Sequence, residues 1–291
     1  MIKRTSSKMK IGIVGMGFVG ETLAKVLEKV HEIAIYDKFK NGYKEPFVLS
    51  DSEVIFICVP TPMKSTGEID LSMIEDAIET LKNTISPLDK PLIVIRSTTV
   101  PGTADELAIK YQLNFVSNPE FLREKYALED MKNTKRFIIG AESQKDYEKI
   151  VSVYKELFPN SKYINADRKT AEMIKYSSNF ILTGQIALAN EIYQICRLLG
   201  IDYKPVKDAL LLDNRIAKNI DVPGYDGDLG FGGKCLPKDL QALSFLAEKK
   251  GYNPQLLKEI WNMNDRVRKN KDWLNIVGAT FKNNYSKHNE E

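Results

Sequence analysis

The sequence predicts an α/β fold in which a doubly wound sheet is followed by an all-helical domain, with a long helix connecting the two. Three observations support this prediction. A glycine-rich turn at residues 15–20 separates an apolar strand from a helical pattern. Short apolar runs then alternate with helical stretches as far as residue 157. From Arg168 to Leu199 apolar residues recur at helical spacing, and Gly184 is the only Gly or Pro within that run.

The individual elements follow from apolar runs bounded by turn residues. Strands are predicted over Ile11–Val14, Glu32–Tyr36, Val54–Val59, Leu92–Ile95, Phe115–Val116 and Arg136–Gly140. Helices are predicted over Glu21–Val30, Leu71–Asn83, Ala104–Tyr111, Lys145–Leu157, Lys204–Leu212, Pro237–Lys250 and Pro254–Arg268. Open parallel sheets bind ligands beyond the carboxyl ends of their strands. The polar segments 60–62, 96–101 and 117–124 are therefore expected at the ligand-binding edge.

The composition argues against several classes of protein. With 42 basic and 39 acidic residues the formal net charge is +3, which is too balanced for a nucleic-acid-binding surface. No apolar run approaches the roughly 20 residues that span a bilayer, and the polar N-terminus lacks the apolar core of a signal peptide, so a cytoplasmic protein is expected. The three widely spaced cysteines indicate a reducing compartment. Only two histidines, His31 and His288, are present, which argues against a metal site or a His-based triad.

The N-terminal pattern predicts a Rossmann-like, dinucleotide-binding domain. Gly15, Gly17 and Gly20 have the Gly-x-Gly-x-x-Gly spacing between a strand and a helix, and Asp37 ends the next strand, 20 residues after Gly17. Such glycines permit a tight turn and a close approach of the pyrophosphate to the helix N-terminus. The Asp37 carboxylate would accept hydrogen bonds from ribose hydroxyls and repel a 2′-phosphate, which favours NAD over NADP, although Lys38 weakens that preference. A cofactor-free glycine turn is the alternative.

The segment 231–239 carries the strongest sign of covalent chemistry. Cys235 follows a glycine-rich run and lies between Lys234 and Lys238. Glycines let the backbone approach a ligand closely, and nearby cations favour the thiolate, which is the nucleophilic form of cysteine. If this thiol reacts, the protein is an enzyme that forms a covalent intermediate. Phe231 and Tyr225 beside it would either pack in the core or cover a sugar or base, and the sequence does not decide between these.

The long helix carries two further candidates. Lys175 and Asn179 are separated by four residues, so they share one face, although either alone is more often a solvated position. Cys196 on the same helix and Cys58 in an apolar strand are each expected to be packed thiols rather than functional ones.

Seven segments, in the same order, resemble the UDP-glucose/GDP-mannose dehydrogenase family over roughly residues 10 to 270. These segments are Gly15-Met-Gly-Phe-Val-Gly20, Val59-Pro-Thr-Pro62, Ser97-Thr-Thr-Val-Pro101, Asn118-Pro-Glu-Phe-Leu-Arg-Glu124, the helix with Lys175 and Asn179, Asp213-Asn-Arg-Ile216 and Phe231-Gly-Gly-Lys-Cys-Leu-Pro-Lys-Asp239. The fourth and the last of them are the most specific.

The resemblance implies a four-electron oxidation of a nucleotide sugar's primary alcohol to a carboxylate, with two NAD and with UDP-glucose as the favoured substrate. Cys235 would add to the aldehyde formed first, giving a thiohemiacetal and then a thioester that water hydrolyses. Lys175 and Asn179 would stabilise the alkoxide. Orientation of the hydrolytic water and proton transfer would fall to Glu124, Asp239 and Thr99.

The resemblance also implies two sets of binding residues and an assembly. The cofactor set is Gly15, Gly17, Phe18, Val19, Gly20, Asp37, Lys38, Pro60, Thr61, Thr99, Glu124 and Lys238. The substrate set is Glu120, Phe121, Leu122, Arg123, Lys175, Asn179, Arg215, Tyr225, Phe231 and Gly232. A homodimer through the long central helix is expected, with Arg215 at the dimer interface.

Two departures from the family pattern bear on domain organisation. The segment 38–46 is shorter than the stretch that usually carries a substrate-proximal helix. Residues 275–282 resemble the first strand of the family's third domain, and a polar tail follows. The expected division is therefore an NAD-binding domain at 1–165, a helical central domain at 166–275 and, at 276–291, a tail representing the start of a missing third domain.

Two other functions remain open at the level of sequence. The first alternative is a one-step β-hydroxyacid-type dehydrogenase. Such an enzyme also has a Rossmann-like domain followed by helices, one of which carries a lysine, but it would give Cys235 no role. A shortened homologue that binds NAD or a nucleotide sugar without turnover is the other alternative.

Overall fold

The computed structural model describes residues 8–86, 91–276 and 278–280. The chain divides into two compact units. Unit 1 comprises Met1–Thr61 and Leu71–Lys175, and unit 2 comprises Pro62–Asp70 and Tyr176–Glu291. The sequence-based boundary at 165/166 lies just before the long helix, whereas the units divide inside it. Across the described part of the chain, we find no helix that is long and apolar enough to cross a membrane.

Unit 1 is built on a seven-stranded sheet. Its strands are β1 Lys10–Val14, β2 Glu32–Tyr36, β3 Val54–Ile57, β4 Leu92–Ile95, β5 Phe115–Ser117, β6 Arg136–Gly140 and β7 Lys162–Ala166. They lie in the order β2-β1-β3-β4-β5-β6-β7. Neighbouring strands are parallel except β5 and β6, which pair antiparallel through Ser117 and Gly140. The predicted sheet is confirmed, with the antiparallel pair and β7 as additions.

Both faces of this sheet are buried, as a doubly wound fold requires. Alternate residues of the central strands enter two separate apolar cores, with Phe56 and Val94 in one and Ile55 and Ile95 in the other. The covering helices are α1 Phe18–Leu27, α2 Ser72–Thr84, α3 Thr103–Tyr111, α4 Ala127–Lys132 and α5 Gln144–Lys155. Because β1 lies between β2 and β3, the strand order reverses there, and ligands bind at such a point beyond the strand ends.

The long helix α6, Arg168–Leu198, begins in unit 1 as one continuous element of 31 residues. Asp167 caps it by accepting a hydrogen bond from the Thr170 N–H at 2.8 Å. Arg168 pairs with Asp105 at 2.7 Å. A side chain at Gly140 would lie 2.7 Å from the Ala171 Cβ, so the first turn of α6 lies directly on the end of β6. These contacts fix the residues of α6 that follow within unit 1.

Unit 2 contains the rest of α6 together with α7 Tyr203–Leu210, α8 Leu236–Lys249 and α9 Gln255–Val267. Its apolar core consists of Ala187, Phe231, Leu240, Leu257, Ile260, Met263 and Val267. The segment Pro62–Asp70 belongs to this unit, and the Met63 N–H donates to the Ala279 carbonyl at 3.0 Å. At the predicted 275–282 strand, a turn at 278–279 leads to a single bridge between Thr280 and Met63. Residue 277 and residues 281–291, with most of the predicted tail, lie outside the described residues.

Candidate active site

The turn after β1 has the geometry that a dinucleotide pyrophosphate requires. Gly15 has φ +93°, and a side chain there would lie 3.0 Å from the backbone of Cys58 and Val59. A Cβ at Gly20 would lie 2.0 Å from the Gly15 carbonyl oxygen, so this turn closes only on glycine. Gly17 caps α1 without a side-chain hydrogen bond, and a Cβ there would meet open space. Phe18 and Val19 begin α1 beside that space, where the helix N-terminus favours a phosphate.

Asp37 is held by the backbone at the end of β2. Its Oδ2 accepts from the Met16 N–H at 2.7 Å, and its Oδ1 accepts from Phe39 and Lys40 at 2.9 and 3.0 Å. Oδ1 already accepts two bonds, whereas Oδ2 accepts one and has a lone pair left, so the fixed carboxylate can accept a ribose hydroxyl. Lys38 pairs with Asp76 at 2.7 Å, which offsets the charge that would otherwise attract a 2′-phosphate.

Two loops meet at the carboxyl ends of β3 and β4. The Thr61 hydroxyl donates to the Thr98 carbonyl at 2.8 Å, and the Ser97 hydroxyl donates to the Val59 carbonyl at 2.7 Å. Pro60 lies between these contacts and is half-buried. Pro60 and Thr61 therefore flank the switch point at β1 and β3, next to the glycine turn. The nearby Cys58 thiol is buried, and burial raises its pKa to about 12, so it is the packed thiol that the sequence predicts.

Lys175 forms a buried ion pair in unit 1. Its Nζ lies 3.1 Å from Glu120 Oε1, and both side chains are about 5% exposed or less. The second oxygen of Glu120 accepts the Leu122 N–H at 2.5 Å, and Lys175 Nζ lies 5.5 Å from the centroid of the Phe121 ring. A buried ion pair with additional hydrogen bonds holds an ammonium group in a defined position.

The other residues of the 118–124 segment have different surroundings. Asn118 anchors the segment, because its side chain accepts from Arg96 and Tyr154 at 2.8 and 2.7 Å and donates to the Ile138 carbonyl. Arg123 pairs with Asp130 at 2.6 Å, and this pairing lowers the Asp130 pKa. Glu124 begins a short 3₁₀ turn and is exposed.

Glu172 was not singled out from the sequence, yet its carboxyl group is buried and its pKa is raised. It is 3% exposed and accepts hydrogen bonds from the Thr99 hydroxyl and from the Gly102 and Ala104 N–H groups. Burial raises its pKa to about 7, and these hydrogen bonds oppose the rise. Thr99, a predicted catalytic residue, is thus bound to a carboxyl that looks in sequence like an ordinary polar position on a helix.

A second buried polar cluster lies in unit 2. Asn179 Nδ2 donates to Asp239 Oδ2 at 2.6 Å, and Lys238 Nζ lies 2.5 Å from Asp239 Oδ1. Asn179, Lys238 and Asp239 are all buried. Cys235 is half-buried at the N-cap of α8, and its carbonyl accepts the Asp239 N–H at 2.9 Å. The thiol and the carboxylate are therefore one helical turn apart, at the helix end where a negative charge is favoured.

The glycine loop before Cys235 is held by hydrogen bonds from side chains that were not predicted from the sequence. Asn264 accepts from the Phe231 N–H at 2.7 Å and donates to the Phe231 carbonyl at 2.9 Å. Arg268, which is 3% exposed, pairs with Asp226 at 2.6 Å and with Asp272 at 3.4 Å. Asn190 accepts the Gly230 N–H at 2.9 Å, and Asp272 accepts the Gly233 N–H at 3.1 Å. The loop backbone is thus fixed from α6, α9 and the turn that follows α9.

Three predicted substrate residues differ sharply in exposure. Phe231 is 3% exposed and packs in the apolar core of unit 2. Tyr225 is 91% exposed. Arg215 is exposed and pairs with Asp213 at 2.5 Å, an interaction that lowers the Asp213 pKa. Their substrate roles remain predictions.

The sheet, the glycine turn and the fixed acid at the end of β2 define a dinucleotide-binding protein with an appended helical unit. Residues 38–158 match the NAD-binding domain of the UDP-glucose/GDP-mannose dehydrogenase family, and residues 169–266 match its central domain. The chain belongs to this family, and its cofactor is NAD. The resemblance inferred from sequence is confirmed.

Named relatives agree with this assignment. The putative UDP-glucose 6-dehydrogenase YtcA of Bacillus subtilis is 33% identical over 297 residues, which cover 88% of this chain and 68% of that protein. UDP-glucose 6-dehydrogenase of Rickettsia typhi is 35% identical over 78% of this chain, which spans 52% of that relative. A solved UDP-glucose dehydrogenase from Pyrobaculum islandicum has a TM-score of 0.81 at 26% identity, covering 91% of this chain and 70% of that one. The chain thus spans about half to 70% of the length of these proteins.

Proposed function

We propose that this chain carries out the NAD-dependent four-electron oxidation of the C6 alcohol of a nucleotide sugar, with UDP-glucose to UDP-glucuronate as the favoured reaction. The observation that carries the proposal is Cys235, placed one helical turn from a buried Asn179–Asp239–Lys238 cluster. A one-step dehydrogenase needs no such thiol. The names of the relatives support UDP-glucose as the first substrate to test.

Cofactor binding falls to the glycine turn and the acid after β2. Gly15 permits the tight turn, Gly17 leaves room for the pyrophosphate, and Asp37 binds the ribose hydroxyls. Pro60 and Thr61 line the same strand ends. When bound, NAD accepts a hydride from the carbon that is oxidised.

Two residues of α6 are proposed to stabilise the negative charge that develops on the oxygen of the oxidised carbon. Lys175 donates to the alkoxide that develops as the hydroxyl proton leaves, and its ammonium form is held by Glu120. Asn179 donates one amide hydrogen to Asp239 and is proposed to donate the other to the developing alkoxide.

Covalent capture follows the first oxidation. The Cys235 thiolate adds to the aldehyde carbon to give a thiohemiacetal, and loss of a second hydride from that carbon gives a thioester. Water then attacks the acyl carbon, and the C–S bond breaks to release the carboxylate and the thiol. The balanced reaction converts an alcohol, two NAD⁺ and one water into a carboxylate, two NADH and three protons. Asp239, Glu124 and Thr99 are proposed to orient this water and to accept its proton.

The assembly is proposed to be a homodimer through α6. Apolar side chains along this helix are exposed at helical spacing, namely Ile181, Leu188, Ile192, Ile195 and Leu198. Such an exposed apolar stripe fits a second copy of the same helix.

The test counts NADH per sugar with limiting UDP-glucose, GDP-mannose and UDP-N-acetyl sugars. We expect the wild type to form two NADH per UDP-glucose. In Cys235→Ala this yield should be lost, because the thiohemiacetal cannot form. Cys196→Ala is the matched control, because it removes another thiol, one that is buried on α6, and it should keep the full yield.

The competing functions give other results. Unchanged turnover in Cys235→Ala would contradict the thioester mechanism. One NADH per substrate in the wild type would indicate a one-step dehydrogenase. Nucleotide-sugar-dependent stabilisation against heat without any NADH would indicate a binding protein.

A further inference from the structure

Glu172 connects α6 to the loop after β4 through three hydrogen bonds. Its Oε1 accepts from Thr99 Oγ1 and from the Ala104 N–H, both at 3.0 Å, and its Oε2 accepts from the Gly102 N–H at 2.6 Å. All three donors are neutral and belong to one short segment. The carboxyl is also buried, so its charged form loses hydration at a cost in free energy.

Two of these bonds have a structural role at the start of α3. Gly102 is the N-cap of that helix, with φ +102° and no side chain to accept hydrogen bonds from the first turn. Glu172 supplies the missing acceptor from another helix, and a negative charge near a helix N-terminus is favourable. This role explains the Gly102 and Ala104 contacts, and it does not require the Thr99 hydroxyl.

The third bond fixes the direction of the Thr99 hydroxyl. While Glu172 is ionised its oxygens only accept hydrogen bonds, so Thr99 then uses its single hydrogen on Glu172. The remaining lone pairs of Thr99 Oγ1 can then only accept. A hydroxyl with a freely rotating hydrogen would instead alternate between donor and acceptor.

We propose that Glu172 is a positioning residue that makes Thr99 an obligate acceptor, so that Thr99 holds the hydrolytic water by one of its hydrogens. The inference rests on the proposed function, in which that water attacks the thioester. A water held in this way keeps its oxygen lone pairs available for attack on the acyl carbon.

Glutamine could not replace this group, although it would avoid burying a charge. Both oxygens of Glu172 accept bonds, whereas one end of a glutamine amide carries two hydrogens. Repulsion from Asp105, the charged neighbour on α3, adds to the effect of burial in raising the Glu172 pKa. The Cε of Lys169, on the same helix as Glu172, would lie 3.6 Å from a Cβ at Gly102. An unfavourable buried carboxyl at this position is explained if both oxygens are needed.

The kinetic test uses Glu172→Gln, Thr99→Val and the double variant, with Thr99→Ser as the conservative control. We expect each single variant to lower kcat roughly 10- to 100-fold through a misplaced water, with little change in KM for UDP-glucose. The double variant should fall no further, and Thr99→Ser should retain most of the activity. Fold losses that multiply in the double variant, or wild-type kcat in Glu172→Gln with only a lower melting temperature, would overturn the proposal and leave the capping role alone.

A second readout does not depend on activity. Difference infrared titration follows the protonated Glu172 carboxyl band, which is identified by its loss in Glu172→Gln. Thr99→Val removes a donor that stabilises the carboxylate, so the midpoint of this band should rise. An unchanged midpoint would refute the hydrogen bond. If the wild type forms no NADH with nucleotide sugars, the proposed function fails and this role with it. If the wild type forms two NADH and the variants match it, only this inference fails.

Discussion

Replacing Gly232 with alanine should destabilise unit 2 strongly, although the new group is a single methyl. That methyl would lie 2.1 Å from Arg268 Nη2 and 2.5 Å from Asp272 Oδ1. The backbone of Gly232 is not in the left-handed region, so the cost comes from contact rather than from backbone strain. Arg268 has a side chain only 1% exposed, and it would have to leave its pairs with Asp226 and Asp272 to make room.

The expected loss is about 3 kcal/mol, since disrupting a buried ion pair costs roughly 3–5 kcal/mol. Urea unfolding followed by tryptophan fluorescence reports on the stability of unit 2. Trp261 and Trp273 are the two tryptophans of the chain, and both belong to that unit. With a slope of about 1–3 kcal/mol per molar urea, the midpoint should fall by about 1–3 M.

Two comparisons can refute this reasoning. Gly184→Ala on α6 is the matched control, because its Cβ would meet Ile260 at an ordinary 3.7 Å and the helix should gain about 0.5–1 kcal/mol. In an Arg268→Ala background the Gly232→Ala penalty should become smaller, because the methyl then meets only Asp272 at 2.5 Å. A full penalty in that background, or none in the wild type, would show that Arg268 does not limit the space at Gly232.

Two further predictions concern assembly and pH. Leu188→Asp, on the exposed stripe of α6, should convert a dimer to a monomer in analytical ultracentrifugation. Ile109→Asp, at a position on α3 that is also exposed, should leave the dimer intact. A dimer in both variants would place the interface elsewhere. The Glu172 pKa rises from the ordinary 4.5 to about 7 in the folded protein, so the folded state binds the proton more tightly. This contribution to stability is complete below pH 4.5 and is lost as pH rises through 7, by about 3 kcal/mol in total. Urea unfolding at pH 5 and pH 8 should show this loss of stability in the wild type and not in Glu172→Gln. If the free energy of unfolding depended on pH equally in both proteins, the titration assigned to Glu172 would be contradicted.

The strands and long helices were predictable because their signal is local. The bounds of β2, β4 and β6 agree with the prediction, since each is an apolar or alternating run between turn residues. Strand β7 was missed because it lies at the sheet edge, where its residues are partly buried or exposed and form no apolar run. Helix α4 was missed because six residues are too few to show helical periodicity.

The candidate site was predictable only where a residue type is itself unusual. Cys235 within a glycine run and Asp37 after a strand are conspicuous by chemistry and spacing. Glu172 and Arg268 are charged residues in helical, charge-rich sequence, where a solvated side chain is the ordinary expectation. Their partners are backbone and side-chain groups about 40 to 70 residues away, and that pairing exists only after folding.

The membership of Pro62–Asp70 in unit 2 has a consequence for how this protein is made and dissected. The chain passes from one unit to the other three times, after Thr61, after Asp70 and after Lys175. A fragment beginning at Tyr176 would lack the segment Pro62–Asp70, whose Met63 N–H bonds to the Ala279 carbonyl. During synthesis, Pro62–Asp70 emerges long before the helices it joins, so unit 2 closes only late, through contacts of long sequence separation. Neither unit can be obtained intact by a single cut.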